Sequence, residues 1–272
     1  MMLDNPIDHT PHFEPDANAQ TTSAVVVLRP GEARALVGQA VASLQQVQEK
    51  RHSGHMVIVG SSTARHVIHH LLKEDPGRDT FAVGQIRNAR LGETPKDSRG
   101  PGPYLFDQGH ITRGWPAPLL EKFGPGDIYL KGANAIDPQG NAAILLGSPT
   151  GGSIGVALSI LYARGGSLII PVTLEKLIPS VPKAMGLLGQ GVPQRVMGIA
   201  VGLIPIMAGS ATIVTELQAM RILANVEATV VAAGGTDDCA GAAVIHFQGK
   251  EENVKKMWDI ILAMRDNNLI HA

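Results

Sequence analysis

The residues best suited to chemistry lie in two places. One is Lys131, followed by Gly132, Asn134, Asp137 and Asn141, inside the stretch Gly126 to Pro171. The other is the turn Gly60-Ser61-Ser62-Thr63. Lys131 can set a point charge against a phosphate, a carboxylate or an enediolate. Asp137 and Glu175 are the candidate general bases, a role that needs a pKa raised toward neutrality by burial or a like charge. Asn134 and Asn141 can orient a ligand through hydrogen bonds. Each residue also has a structural account. Asp137-Pro138-Gln139-Gly140 has the composition of a β-turn, and Glu175-Lys176 reads equally well as a surface pair.

Positioning these groups requires strands that end at the same edge. Asp127 to Leu130 is short, apolar and preceded by Gly-Pro-Gly, so it is expected to be a buried strand with Lys131 just past its end. Ala142 to Leu146 and Ser167 to Val172 are further apolar runs. Between them, Gly147 to Gly155 is a loop opening into a helix from Val156 to Ala163. Its Gly151, Gly152 and Ser153 form a second candidate anion loop, without the Lys-Ser/Thr ending of a P-loop. His55 to Gly60 is a strand that passes through Ser61, Ser62 and Thr63 into a helix from Ala64 to Lys73. The unpaired amides at such a helix start favour an anion, although a plain capping role for Ser62 or Thr63 explains the same residues. In open α/β sheets ligands bind beyond the carboxyl ends of the strands. The two turns are therefore expected to meet over neighbouring parallel strand tips.

The rest of the chain supplies the frame. A short strand over Ala24 to Leu28 precedes a helix from Pro30 to about Lys50, with Val37, Ala40, Val41, Leu44 and Val47 on one face. Thr80 to Ile86 reads as a strand, and Leu91 to Pro118 as a long loop. After the linker Gly186 to Pro193 come a strand-like run (Val196 to Ile206), a helix (Thr215 to Asn225), two strands (Thr229 to Ala233, Ala242 to Phe247) and an amphipathic helix (Lys250 to Arg265). The expected fold is α/β, a Rossmann-like open parallel sheet with helices on both faces over residues 23–190. A small α+β domain of the split βαβ, ferredoxin-like kind follows over 191–272. Residues 1–22, with His9 and His12, read as a flexible arm.

Composition narrows the partners. The 272 residues are 44% hydrophobic and 17% charged, enough to bury a core, and 23 basic against 24 acidic residues leave no basic field for nucleic acid or an anionic membrane. Aromatic residues at 4% give no stacking platform for single strands. The single cysteine, Cys239, rules out an internal disulfide and a cysteine-rich metal site, which suits a reducing cytoplasm. The N-terminal residues lack a basic and then apolar signal sequence. The expected partner is a small anionic metabolite, with no cofactor and no metal, and a homodimer or larger homo-oligomer is compatible.

Two motifs carry a resemblance. Gly60-Ser61-Ser62-Thr63-Ala64 after a strand is similar to the sugar-phosphate isomerase turn, in which serine and threonine hold the substrate phosphate. Tyr129-Leu130-Lys131-Gly132-Ala133-Asn134-Ala135-Ile136-Asp137, followed by Gly140-Asn141, is similar to a strand and turn of the lactate-utilisation branch. The first unit thus resembles the superfamily of glucosamine-6-phosphate deaminase, ribose-5-phosphate isomerase and CoA transferases, from Gln39 to Pro179. Lys131-Gly132 and Glu175-Lys176 match isomerase lysine and glutamate positions. Ile128-Tyr129-Leu130 departs from the pattern, because an acidic pair precedes the isomerase lysine. The resemblance implies a small-molecule isomerase or transferase acting on a phosphorylated or acyl anion by proton or acyl transfer. A ligand-sensing module of the same fold, without turnover, is the alternative.

Overall fold

The computed structural model describes residues 21–265. The expected arm over 1–22, including His9 and His12, falls outside the described residues except for its last two positions. The first strand, β1 (Thr22–Leu28), leads through Arg29 into helix α1 (Pro30–Ser43). Glu32 closes this helix start by accepting from the Arg29 amide at 2.9 Å. The single helix expected to reach Lys50 is in fact two, because Leu44 takes an extended ψ of 130° before α2 (Gln45–His52). Apolar spacing runs unbroken through Leu44, so periodicity alone could not reveal the break.

Strand β2 (His55–Ile58) is followed by α3 (Ser62–Leu72), the short α4 (Arg78–Phe81), and a hairpin of β3 (Gly84–Arg87) and β4 (Arg90–Glu93). The strand expected over Thr80 to Ile86 is therefore half helical turn and half hairpin. Asn88 and Ala89 turn that hairpin with φ of 52° and 56°. A second hairpin joins β5 (Tyr104–Asp107) to β6 (His110–Arg113), turned by Gln108 and Gly109 at φ of 51° and 84°. These strands, with the end of β4, occupy part of what reads as a long loop over Leu91 to Pro118. The chain continues through α5 (Ala117–Leu120), β7 (Ile128–Leu130), β8 (Ala135–Ile136), β9 (Ala142–Leu146), α6 (Gly152–Arg164) and β10 (Ser167–Pro171). It ends with α7 (Val181–Met185), β11 (Gly202–Ile206), β12 (Thr212–Val214), α8 (Glu216–Ala224), β13 (Glu227–Gly234), β14 (Ala242–Gly249) and α9 (Glu251–Arg265).

The protein is α/β, built on a mixed six-stranded sheet of order β12-β10-β7-β2-β5-β6. The four strands β12, β10, β7 and β2 are mutually parallel, while β5 and β6 run antiparallel at one side. Alternation along these strands feeds two cores. Met56, Ile58, Ile128, Leu130, Ile169 and Val214 pack with α1, α3, α8 and α9. Val57, Val59, Tyr129, Leu168 and Ile170 pack with α5 and α6. Central strands buried on both faces must be apolar throughout, which is why they read so clearly in the sequence.

Two smaller sheets complete the fold. Strand β9 does not join the main sheet, as the run of apolar segments suggests it should. It pairs antiparallel with β8 and β11 instead. Strand β1 pairs along its whole length with β14, which also carries β13. Val26, Leu28, Ile245 and Phe247 share one core with α1 and α3. The sheet near the C-terminus is thus completed by an N-terminal strand, and β11 and β12 serve sheets of the preceding unit. No described helix is long and apolar enough to cross a membrane.

Asp127 pins the amino end of β7. It accepts from the Lys50 ammonium at 2.8 Å, from the His55 amide at 2.9 Å and ring at 3.0 Å, and from the Gly124 amide at 2.8 Å. Burial pushes its pKa upward, but Lys50, His55 and Gly124 prevail and pull it down to about 2. A depressed carboxylate stabilises the fold above its unfolded pKa and loses that effect as pH falls toward 2. Asp127→Ala is expected to cost about 3 kcal/mol at pH 7. Urea denaturation checks this, and the difference from wild type should shrink between about pH 4 and pH 2.

Candidate functional site

All four parallel strands end at one edge, and the segments leaving them carry the buried polar residues Thr63, Thr173, Thr215 and Glu216. Past β2 lie Gly60 and Ser61 to Thr63. Past β7 lie Lys131 and Gly132. Past β10 lie Thr173, Glu175 and Lys176, and past β12 lie Thr215 and Glu216.

The first two turns touch. A Cβ on Gly132 would sit 2.7 Å from the Ser61 hydroxyl oxygen, so only glycine permits this approach. Gly60 is equally constrained, since a Cβ there would lie 1.8 Å from the Phe81 carbonyl oxygen. Ser61 is the helix cap, accepting from the Ala64 amide at 3.0 Å. Thr63 is fully buried, and its hydroxyl has no hydrogen-bond partner among the described residues.

Lys131 is half-buried, and its ammonium makes no hydrogen bond or ion pair among the described residues. Desolvation pulls its pKa down to about 8. The Lys131 amide still bonds the Ile169 carbonyl at 3.0 Å, so the strand register continues through it. Alternation then directs its side chain to the face of Tyr129. There the Tyr129 hydroxyl donates to the Ser153 carbonyl at 2.6 Å, which brings the start of α6, with Gly151, Gly152 and Ser153, against the same strand. Gly151 and Gly152 take φ of 80° and 57°, as a loop entering a helix at this angle demands.

A polar network lies past β10 and β12. Arg34 donates to both Glu175 oxygens, at 2.8 and 3.1 Å, and the Thr173 hydroxyl donates to Glu175 at 2.9 Å. The Lys176 ammonium donates to the Ala133 carbonyl at 2.9 Å, which ties this segment to the one after β7. Burial lowers the Lys176 pKa. Glu216 is 1% exposed and accepts from the Leu174 amide at 3.0 Å. Desolvation raises its pKa to about 7; the Leu174 amide and Lys176 oppose the rise, while Glu175 adds to it.

Asp137 and Asn141 serve a different purpose. Asp137 Oδ1 accepts from the Gln139 and Asn141 amides at 3.1 and 2.9 Å, and Oδ2 from the Val181 amide at 3.0 Å. The Asn141 side chain donates to both oxygens at 3.2 and 3.0 Å, and its own oxygen accepts from the Ala208 amide at 3.0 Å. Burial favours the neutral Asp137 carboxyl, yet these N–H donors hold its pKa below the usual carboxylate range. A saturated carboxylate with a lowered pKa anchors a turn and is a poor base. Asn134 is exposed and uses its side-chain oxygen to accept from the Leu145 amide at 3.0 Å.

Lys131, Gly132, Glu175 and Ser61 to Thr63, all candidates in the sequence, lie in segments that leave this edge, whereas Arg34, Lys176 and Glu216 are not among the sequence candidates. Glu216 was hidden because an acid in the first turn of a helix is normally read as a partner for the helix dipole. Among the described residues no group of three or more His, Cys, Asp or Glu side chains is arranged to hold a metal ion. Comparisons with protein-family models, with curated proteins and with solved structures find no match for this chain.

Two substitutions separate these roles. The Glu216 carboxylate is disfavoured in the fold, a cost absent below about pH 4.5, growing to pH 7 and constant above it. Glu216→Gln should therefore raise stability by roughly 2 kcal/mol at pH 8 and change it little near pH 4, as read from melting curves at the two pH values. Asp137→Ala should cost about 3 kcal/mol at pH 7, because several amides lose their acceptor together.

Proposed function

We propose that the carboxyl edge of the parallel strands binds a small phosphorylated or acyl anion, and that the protein is an isomerase or transferase acting by proton or acyl transfer. The observation that carries this reading is Lys131. A half-buried ammonium without a counter-charge costs folding free energy, and an anionic ligand is what would relieve it. The turn before α3 touches Gly132 and the start of α6 is tied to Tyr129, and helix starts favour the same sign of charge. On this reading Glu175 is the carboxylate that meets the ligand, held by Arg34 and Thr173. Glu216 behind it retains a proton near neutral pH.

The finer fold assignments belong to the same proposal. Four parallel strands with helices on both faces support a Rossmann-like reading of the main sheet. Helices packed on one side of β1-β14-β13 support an α+β reading of the C-terminal layer. Kinship with the isomerase and CoA transferase superfamily rests on the Gly60 to Ala64 and Tyr129 to Asp137 motifs. A cytoplasmic location and a homo-oligomer are part of the same reading.

A panel of small anions, beginning with inorganic phosphate, acetate and pyruvate, tests the site by thermal shift and calorimetry. At least one should bind, and Lys131→Met should weaken it tenfold or more, about 1.4 kcal/mol. The ionised lysine is disfavoured in the fold below about pH 8, and that cost fades as pH approaches the unfolded value of 10.5. Lys131→Met should therefore be more stable than wild type at pH 7, by on the order of 1 kcal/mol after solvent screening. Unchanged affinity in the variant would overturn the assignment.

A further inference from the structure

We propose that Lys131 is a nucleophile, and that the ligand of the site is an anion that also carries an aldehyde or ketone, which Lys131 captures as an imine. This rests on the anion-binding reading above and narrows it to a substrate class.

Four other lysines are engaged. Lys50 is held by Asp127 at 2.8 Å, Lys122 by Asp107 at 2.6 Å and Lys255 by Asp259 at 2.8 Å. Lys176 is tied to the Ala133 carbonyl at 2.9 Å. An amine engaged in an ion pair stays protonated and has no lone pair to offer. Lys131 is neither engaged nor free in bulk water: it is half-buried at the end of a strand whose other residues are buried. Strand β7 holds its backbone on both sides, through Leu130 to the Val59 amide and through the Lys131 amide to Ile169, both near 3 Å. A nucleophile on a strand end is placed by the sheet itself, more accurately than one on a loop. The residue keeps partial exposure to solvent, so a ligand can approach this strand end.

Burial also supplies the reactive form. With a pKa near 8, about a tenth of Lys131 is free amine at pH 7, against well under a thousandth for an ordinary lysine. The Nζ lone pair attacks the carbonyl carbon and forms a C–N bond. The carbonyl oxygen leaves as water with the two protons the amine gives up, so amine and carbonyl yield imine and water with no change in oxidation state. An imine draws electrons from the adjacent carbon and makes its C–H acidic.

The test uses the full chain, with pyruvate and glyceraldehyde 3-phosphate as carbonyl probes, and lactate and inorganic phosphate as anions without a carbonyl. Each carbonyl probe is followed by borohydride, which reduces an imine to a stable amine that intact mass and peptide mapping locate. The expected result is one adduct per chain with at least one probe, on the peptide containing Lys131 and absent in Lys131→Met. Lys131→Arg keeps the charge but cannot form an imine, so it should still bind lactate or phosphate while giving no adduct. No adduct, or adducts spread over surface lysines and unchanged in Lys131→Met, overturns the imine. If lactate or phosphate still binds in a Lys131-dependent way, the anion reading survives that failure. If neither binds, both readings fall.

Discussion

A parallel strand buried on both faces can be nothing but apolar along its length, and this constraint shapes the whole molecule. Val57, Leu168 and their neighbours bring no polar side-chain group into the ladder, and the one hydroxyl there, on Tyr129, is spent on the Ser153 carbonyl. The chain must become polar where the strands stop, because there the ladder no longer satisfies the backbone. Four strands stop together, so four polar segments are gathered at one edge. The same constraint that builds the core therefore concentrates charge outside it. Asp127 fixes the opposite end of β7 with three protein donors besides its lysine, so the central strand is tethered at its start and chemically equipped at its finish.

Buried charge at that edge is of two kinds. Arg34 and Glu175 there, like Lys50 and Asp127 at the opposite end of β7, form a pair whose mutual attraction offsets part of its lost hydration. Lys131 has no such compensation, and Glu216 has only an amide and a neighbouring lysine. Groups that destabilise a fold persist where function needs their misplaced protons. Asp137 shows the contrast. Its position in a conspicuous motif suggests a base, but five hydrogen bonds make it the keystone of the β8–β9 turn.

What the sequence reveals follows from how each element is stabilised. Ala142 to Leu146 and Ser167 to Pro171 are legible because full burial demands uninterrupted apolar residues. Helices α8 and α9 are legible because one face meets the core and the other meets water. The hairpins β3–β4 and β5–β6 are not, because Asn88-Ala89 and Gln108-Gly109 are weak relatives of the Asn-Gly signal for such turns. Sheet membership is harder still. Nothing local distinguishes β9, which leaves the main sheet, from β10, which joins it. The meeting of Ser61 with Gly132 was inferable from strand-end logic, whereas the raised pKa of Glu216 depends on burial, which is a property of the packed chain.

The pairing of β1 with β14 joins the two extremities of the described chain, Thr22 opposite Gly249. A ribosome delivers these partners more than two hundred residues apart, so β1 waits, edge unsatisfied, for β14. Loop closure over that distance is slow relative to local folding. During synthesis Val26 and Leu28 have no sheet to enter, and they are the segments a chaperone would shield. The seam between β1 and β14 cannot close until nearly all of the described chain is made.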